Sequence, residues 1–123
     1  MSDELCFMTA TELRRHIAHR ELSPVEVTRA VLERAERLQP ELNCFITICA
    51  DEALAQAKDA EQALMRGEPL GLLHGVPYTC KDVIDTQGIR TTYGSLLHAQ
   101  HVPTRDAEVV ARLRRQGAVL VGK

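Results

Sequence analysis

Gly75-Val76-Pro77-Tyr78-Thr79-Cys80-Lys81-Asp82 is the stretch on which the fold turns. Val76 to Lys81 reads as a strand entered through a Gly and Pro turn and leaving into a loop at a lysine. Its counterpart lies far along the chain, in Ala118-Val119-Leu120-Val121-Gly122-Lys123. A continuous apolar run of this kind suits a strand buried on both faces, as in a parallel sheet. Between the two, a helix opening at Thr104 or Asp106 carries Val109, Val110 and Leu113 as its apolar residues and closes at Gly117. Strand, crossover helix and strand make a βαβ unit, so the fold class is α/β with a largely parallel, helix-covered sheet. Glycines at 71, 75, 88 and 94 mark the loops of this half.

Outward toward the N-terminus the sequence becomes helical, and residues 1–67 read as a mainly helical segment ahead of the sheet core in residues 71–123. Thr9 and Glu12 stand at capping-box spacing, with Leu13 and Ile17 one turn apart on one face. In Ser23-Pro24-Val25-Glu26, Ser23 caps, Pro24 fits the first helical position and Glu26 reaches back to the cap. Val27, Val31, Ala35 and Leu38 continue at helical spacing until Pro40, which is expected to stop the helix. Cys44 to Cys49 reads as a strand or a buried extended segment. Asp51 is the expected cap of a further helix, in which Ala53, Ala57, Ala60 and Leu64 share a face and Gly67 supplies the stop. So much alanine on a buried face implies close approach to a neighbour.

Composition narrows the function classes. Of 123 residues, 45% are apolar and 26% charged, which favours a packed core over disorder. Aromatics are only 3% and Trp is absent, so that core is aliphatic. A net charge of -2 offers no basic footprint for nucleic acid and no polybasic membrane anchor. No run is long enough to span a bilayer, and the acidic start Met1-Ser2-Asp3-Glu4 lacks the basic opening of a secretory signal. Cys6, Cys44, Cys49 and Cys80 are scattered, and reduced thiols in a reducing, cytoplasmic setting are the simplest reading. A buried strand at 119–121 would need neighbours that a chain with two or three strands can barely supply. The sheet is therefore expected to be unfinished, with apolar surface at Val119 to Val121 open to self-association.

Lys81 is the candidate catalytic residue. At the end of an apolar strand a lysine either snorkels to water or is held inside, where desolvation favours the neutral, basic amine. Lysines ionise near ~10.4, so one that works as a base near neutrality must be shifted by roughly 3 units, about 4 kcal/mol. The plain alternative is an ion pair with Asp82 or Asp85. His16 with His19, and His98 with His101, are spaced to share a helical face, but neither pair has the third and fourth ligand a metal wants. No metal and no cofactor is expected. Cys80 is either a thiol activated by its cationic neighbour or a small buried apolar residue. Arg112, Arg114 and Arg115 read as the solvated face of a helix.

The longer segment Leu73-His74-Gly75-Val76-Pro77-Tyr78-Thr79-Cys80-Lys81-Asp82-Val83-Ile84-Asp85-Thr86-Gln87-Gly88 closely resembles the lysine-bearing segment of the amidase-signature family. Thr91-Thr92-Tyr93-Gly94-Ser95, Asp106-Ala107 and Gly117 to Lys123 match in the same order and spacing. The Ser23 to Glu26 helix start and the Asn43 to Ile48 run are typical of the family's N-terminal helices, so the resemblance covers nearly the whole chain. It implies that residues 1–123 are the N-terminal part of an amidase domain, an incomplete amidase-signature fold.

The resemblance also implies a chemistry: a Ser–cis-Ser–Lys triad that hydrolyses a small-molecule amide to carboxylate and ammonia or amine. The lysine, matched by Lys81, takes a proton from a bridging serine, which in turn activates the nucleophile. Backbone N–H groups of a Gly-rich loop stabilise the oxyanion. Both serines belong to a Gly/Ser-rich motif that follows later in family members. Here the only serines are Ser2, Ser23 and Ser95, and Ser95 lacks such surroundings. The rival readings are a truncated, non-catalytic remnant or interaction module, and a piece of the A-type polypeptide of a glutamyl-tRNA amidotransferase. Members of that subfamily commonly carry Cys-Ala-Ser where this chain has Tyr93-Gly94-Ser95, which leans toward a general amidase. No residue here is assigned to substrate binding.

Overall fold

The computed structural model describes residues 2–123, so that Met1 of the acidic start lies outside the described residues. Five α-helices and two strands follow in the order α1 (Ser2–Cys6), α2 (Ala10–Ala18), α3 (Pro24–Leu42), α4 (Ala50–Met65), β1 (Pro77–Thr79), α5 (Glu108–Arg115) and β2 (Val119–Gly122). A single 3-10 turn, Leu96–His98, interrupts the long β1–α5 connection. The strands pair in parallel, Pro77 opposite Val119 and Tyr78 opposite Leu120, with an irregularity between Tyr78 and Thr79. This is the expected βαβ unit.

Every residue of β2 is buried, and its two faces have different covers. On one face Val119 and Val121 pack with Leu32 of α3 and Ala53 and Ala57 of α4. On the other, Leu120 meets Cys49, Cys80, Ile89 and Val110 of α5. The alternation follows from the two-residue period of a strand. Ala53, Ala57, Ala60 and Leu64 form the buried face of α4, and the first two are wholly inaccessible, which is the close approach their small side chains permit. The expectation that Val119 to Val121 would expose apolar surface is therefore corrected: the three are at most 2% exposed, because α3, α4 and α5 suffice to enclose so short a strand. The most exposed of the large apolar residues lie elsewhere, at Phe7, Leu72, Leu96 and Leu97.

Local signals at the helix ends explain most of the N-terminal half. The Thr9–Glu12 capping box forms in both directions. Ser23 accepts from the Val25 and Glu26 N–H groups, yet its own hydroxyl donates to Glu61 of α4, so the carboxylate that reaches the cap comes from a neighbouring helix and not from Glu26. Pro40 does not stop α3, which runs on to Leu42 and ends where Asn43 turns left-handed with φ 46°. Proline in a last turn forfeits one hydrogen bond but need not end the helix, and asparagine tolerates the left-handed region that does. Asp51 is likewise not the cap of α4: the helix starts one residue earlier, at Ala50, after Cys49, and Asp51 lies in its first turn, where its charge suits the dipole. The far end of α4 closes as expected, with Gly67 at φ 73° and paired bonds from Gly67 N–H to Leu64 O and from Glu68 N–H to Ala63 O.

Residues 46–49 form no named strand, but they lie extended along β2. Ile46 and Thr47 N–H donate to Lys123 O, Lys123 N–H donates to Thr47 O, and Cys49 N–H donates to Val121 O. Ile48 and Gly122 form an antiparallel bridge. Gly122 is needed for that approach, since a Cβ there would fall 2.7 Å from the Phe45 ring and 3.0 Å from Thr47 O.

Overfilling the α4–β2 contact should be costly. Ala57→Leu is expected to lower stability by about 1–3 kcal/mol, while Ala55→Leu on the exposed face of the same helix stays within about 0.5 kcal/mol. Urea unfolding of the two variants checks this; equal midpoints would mean that the helix does not lie against the strand.

Candidate active site

Lys81 leaves the sheet just beyond the end of β1. Cys80 is still held to the sheet, donating its N–H to Gly122 O at 3.0 Å, while Lys81 itself is exposed. Its carbonyl accepts from Ile84 N–H at 3.0 Å, which turns the chain back on itself. An ion pair with Asp82 or Asp85 does not form. The Asp82 side chain is buried and accepts the Thr92 N–H and the Thr92 hydroxyl, while Asp85 accepts the Tyr93 phenol proton. Both neighbouring carboxylates are spent on the loop, and among the described residues Lys81 has no ion-pair partner.

The loop after Lys81 is fixed along its length. Tyr93 N–H donates to Asp82 O, Ala107 N–H to Asp85 O, Gly88 N–H to Pro103 O and Thr91 N–H to His101 O. Asp106, expected as a helix cap, instead accepts Gln87 N–H at 2.7 Å and the Arg114 guanidinium at 3.0 Å. The helix starts after Ala107 with no side-chain cap, because the aspartate faces the loop and not the helix end. Arg114 is thus more than part of a solvated face, and Val109 is half exposed where Val110 is fully buried. Burial raises the Asp106 carboxyl, but hydrogen bonds from Arg114 and Gln87 outweigh it and hold the group below its ordinary value.

The residue that sequence reasoning missed is Lys123, buried to 4% exposure. Its Nζ donates to Ile84 O at 2.5 Å, Thr86 Oγ1 at 2.9 Å and Thr91 Oγ1 at 2.6 Å. Burial pushes its pKa below that of an ordinary lysine, against the pull of Cys80, Asp82, Asp85 and Cys49. Nothing in the sequence around Lys123 marks it as buried except the apolar run that precedes it.

The remaining candidates have ordinary partners. His16 pairs with Glu21 and not with His19. His98 and His101 both pack around the Tyr93 ring, with centroids 5.2 and 5.7 Å from it. Among the described residues no three metal-ligating side chains cluster, and no helix is long and apolar enough to cross a membrane. Cys80 is buried in the α5-side cluster with its thiol on Lys81 O at 3.8 Å. Its neighbour in that cluster, Cys49, is pushed up to about 11 by burial and by Glu52, and stays a thiol near neutrality. Ser95 caps the 3-10 turn through Leu97 N–H, a structural task.

Residues 26–123 match the amidase family model. The chain belongs to the amidase family. It is 47% identical to the A-type polypeptide of glutamyl-tRNA(Gln) amidotransferase from Geobacter sulfurreducens (strain ATCC 51573 / DSM 12127 / PCA) over 120 residues, covering 98% of this chain and 24% of the relative. Identity to the corresponding polypeptide of Dehalococcoides mccartyi (strain ATCC BAA-2266 / KCTC 15142 / 195) is 43% over the same length. Among solved structures, peptide amidase from Stenotrophomonas maltophilia superposes with a TM-score of 0.88 at 33% identity over 95% of this chain and 24% of its own. Fatty acid amide hydrolase superposes with a TM-score of 0.93 at 29% identity over 99% of this chain and 22% of its own. The chain spans about a quarter of the length of the curated relatives it matches, 24% of each of the two above. These two relatives are amidotransferase polypeptides.

Asp106 gives the chain a pH signature. Its folded pKa lies below the ordinary 3.8, so its stabilising contribution is fully present above that value and is lost as pH falls through the folded one. Asp106→Asn should therefore flatten the acid limb of stability below about pH 4. Chemical unfolding followed between pH 7 and pH 2 checks this, and a parallel shift of the whole curve would assign the effect to packing.

Proposed function

We propose that this chain supplies the lysine of an amidase proton relay, Lys81, to a site that hydrolyses amide C–N bonds. The observation that carries the reading is the placement of Lys81 just past β1, unpaired, on a loop whose own carboxylates are engaged elsewhere; the desolvation that a base needs is left to whatever covers it in the complete site. A base must be free of a permanent counter-ion, since a carboxylate partner would hold the ammonium charged. In the proposed step the neutral Lys81 amine takes the proton of a bridging serine. That serine takes the proton of the nucleophilic serine, whose oxygen adds to the amide carbonyl. Collapse breaks the C–N bond as the leaving nitrogen receives a proton, and water then releases the carboxylate. The serine pair is not within these 123 residues, where Ser23 and Ser95 act as caps.

A second reading follows from the amidotransferase relatives, 43% and 47% identical. On that reading the same Lys81 works inside an assembly with other polypeptides, and the amide consumed serves as a nitrogen donor. Both readings place the protein away from the membrane, in the cytoplasm, and neither calls for a cofactor.

Two measurements test the proposal. The 123-residue chain alone is expected to show no turnover of aliphatic or aryl amides above background. Joined to the Gly/Ser-rich remainder of a closely related amidase, it is expected to hydrolyse a simple amide, with Lys81→Ala lowering kcat by about 10²–10⁴-fold. Lys81→Arg should fare nearly as badly, because a guanidinium stays charged and cannot act as a base. Near-normal turnover of the arginine variant would sink the relay and leave Lys81 a fixed positive charge.

A further inference from the structure

Only three lysines occur in the sequence, Lys58, Lys81 and Lys123, and the first two are exposed. Lys123 is the one withdrawn from water, and no carboxylate side chain lies within ion-pair distance of it among the described residues. A buried charge without a counter-ion is tolerable only when its hydrogen-bonding capacity is filled. Here the filling is complete. An ammonium has three protons to donate, and Ile84 O, Thr86 Oγ1 and Thr91 Oγ1 accept them. Both threonine hydroxyls spend their own protons elsewhere, Thr86 on Ile84 O at 3.3 Å and Thr91 on Ile89 O at 3.1 Å. A protonated lysine fills all three acceptors without calling on either threonine proton.

All three acceptors lie on one segment, residues 84–91, which begins three residues after Lys81. The donor stands at the end of the strand that β1 pairs with, where Gly122 O also holds Cys80 N–H. One cation thus gathers the Lys81 loop onto the C-terminal end of β2 by bonds that are charge-assisted, roughly twice as strong as neutral ones. We propose that Lys123 is a positioning residue for Lys81: its buried ammonium clamps residues 84–91 and so fixes the direction in which Lys81 leaves β1. Its consequence for catalysis rests on the reading of Lys81 as the relay lysine; the clamp itself does not.

Lys123→Met keeps the apolar stem and removes all three donors. In the 123-residue chain, amide hydrogen exchange at Ile89, Thr91, Thr92 and Tyr93 is expected to accelerate about tenfold or more, while Ala53 and Ala57 in α4 change by less than about twofold. Unchanged exchange in the loop overturns the clamp. Equal acceleration in loop and helix also overturns it, since Lys123 would then be a general stabiliser. Thr91→Val removes one acceptor with little change of shape; it should show the same local pattern at smaller amplitude, and it decides the matter if the methionine variant does not fold. In the completed enzyme Lys123→Met should lower kcat at least about tenfold with KM within about twofold and an unmoved pH optimum. Faster loop exchange with unchanged kcat would refute positioning. Failure of the relay reading shows differently, as undiminished turnover of Lys81→Ala, and leaves the exchange result standing.

Discussion

The burial of four consecutive residues, Val119 to Gly122, constrains everything else in this chain. A strand in a parallel pair presents side chains to both faces, and both must be covered. On one side the cover is α4, brought close by alanines, with α3 beside it; on the other it is α5 and the loop that follows β1. The helices are therefore not a separate unit appended to a sheet. They are the lid without which the strand would lie open, and their cap residues, Thr9 and Ser23, serve that strand at one remove. The Ser23–Glu61 contact makes the connection explicit, since the residue that caps α3 is tied to the C-terminal half of α4.

Whatever depends on period and on short-range chemistry is legible in the sequence. The buried face of α4, the Thr9 box, the Gly67 stop and the doubly buried terminal run all follow from spacings of two to four residues. Features that depend on partners distant in the chain are not legible. Asp106 and Asp51 look alike as cap candidates, and only the packed loop beside Asp106 shows why its carboxylate turns to Gln87 and Arg114. Pro40 fails as a stop because a last turn has little left to lose. The strand-like run from Cys44 to Cys49 lies beside β2, but with too few paired residues to count as a strand.

The site shows the same division with higher stakes. Lys81 stands out by its motif, and the role proposed for it leans on family likeness as well as on its unpaired place past β1, because no side chain around it announces a reaction. Lys123 escapes notice in the sequence because it follows a run of apolar residues and looks like a strand end. The two lysines divide the uses to which an amine can be put. One is in water, unpaired and free to be covered by something else, while the other is dry, saturated with acceptors and unable to do anything but hold.

The extended arm of residues 46–49 also has a bearing on how the sheet can grow. It fills the outer side of β2 from Val121 onward, and Gln56 of α4 takes the Leu120 N–H at 3.2 Å where the arm has not yet arrived. With β1 on its other side, β2 is an interior strand in all but name. The edges left for enlargement belong to its two neighbours, the arm and β1. A further strand laid on β1 would register against Pro77, Tyr78 and Thr79, and would so be stitched in beside Lys81.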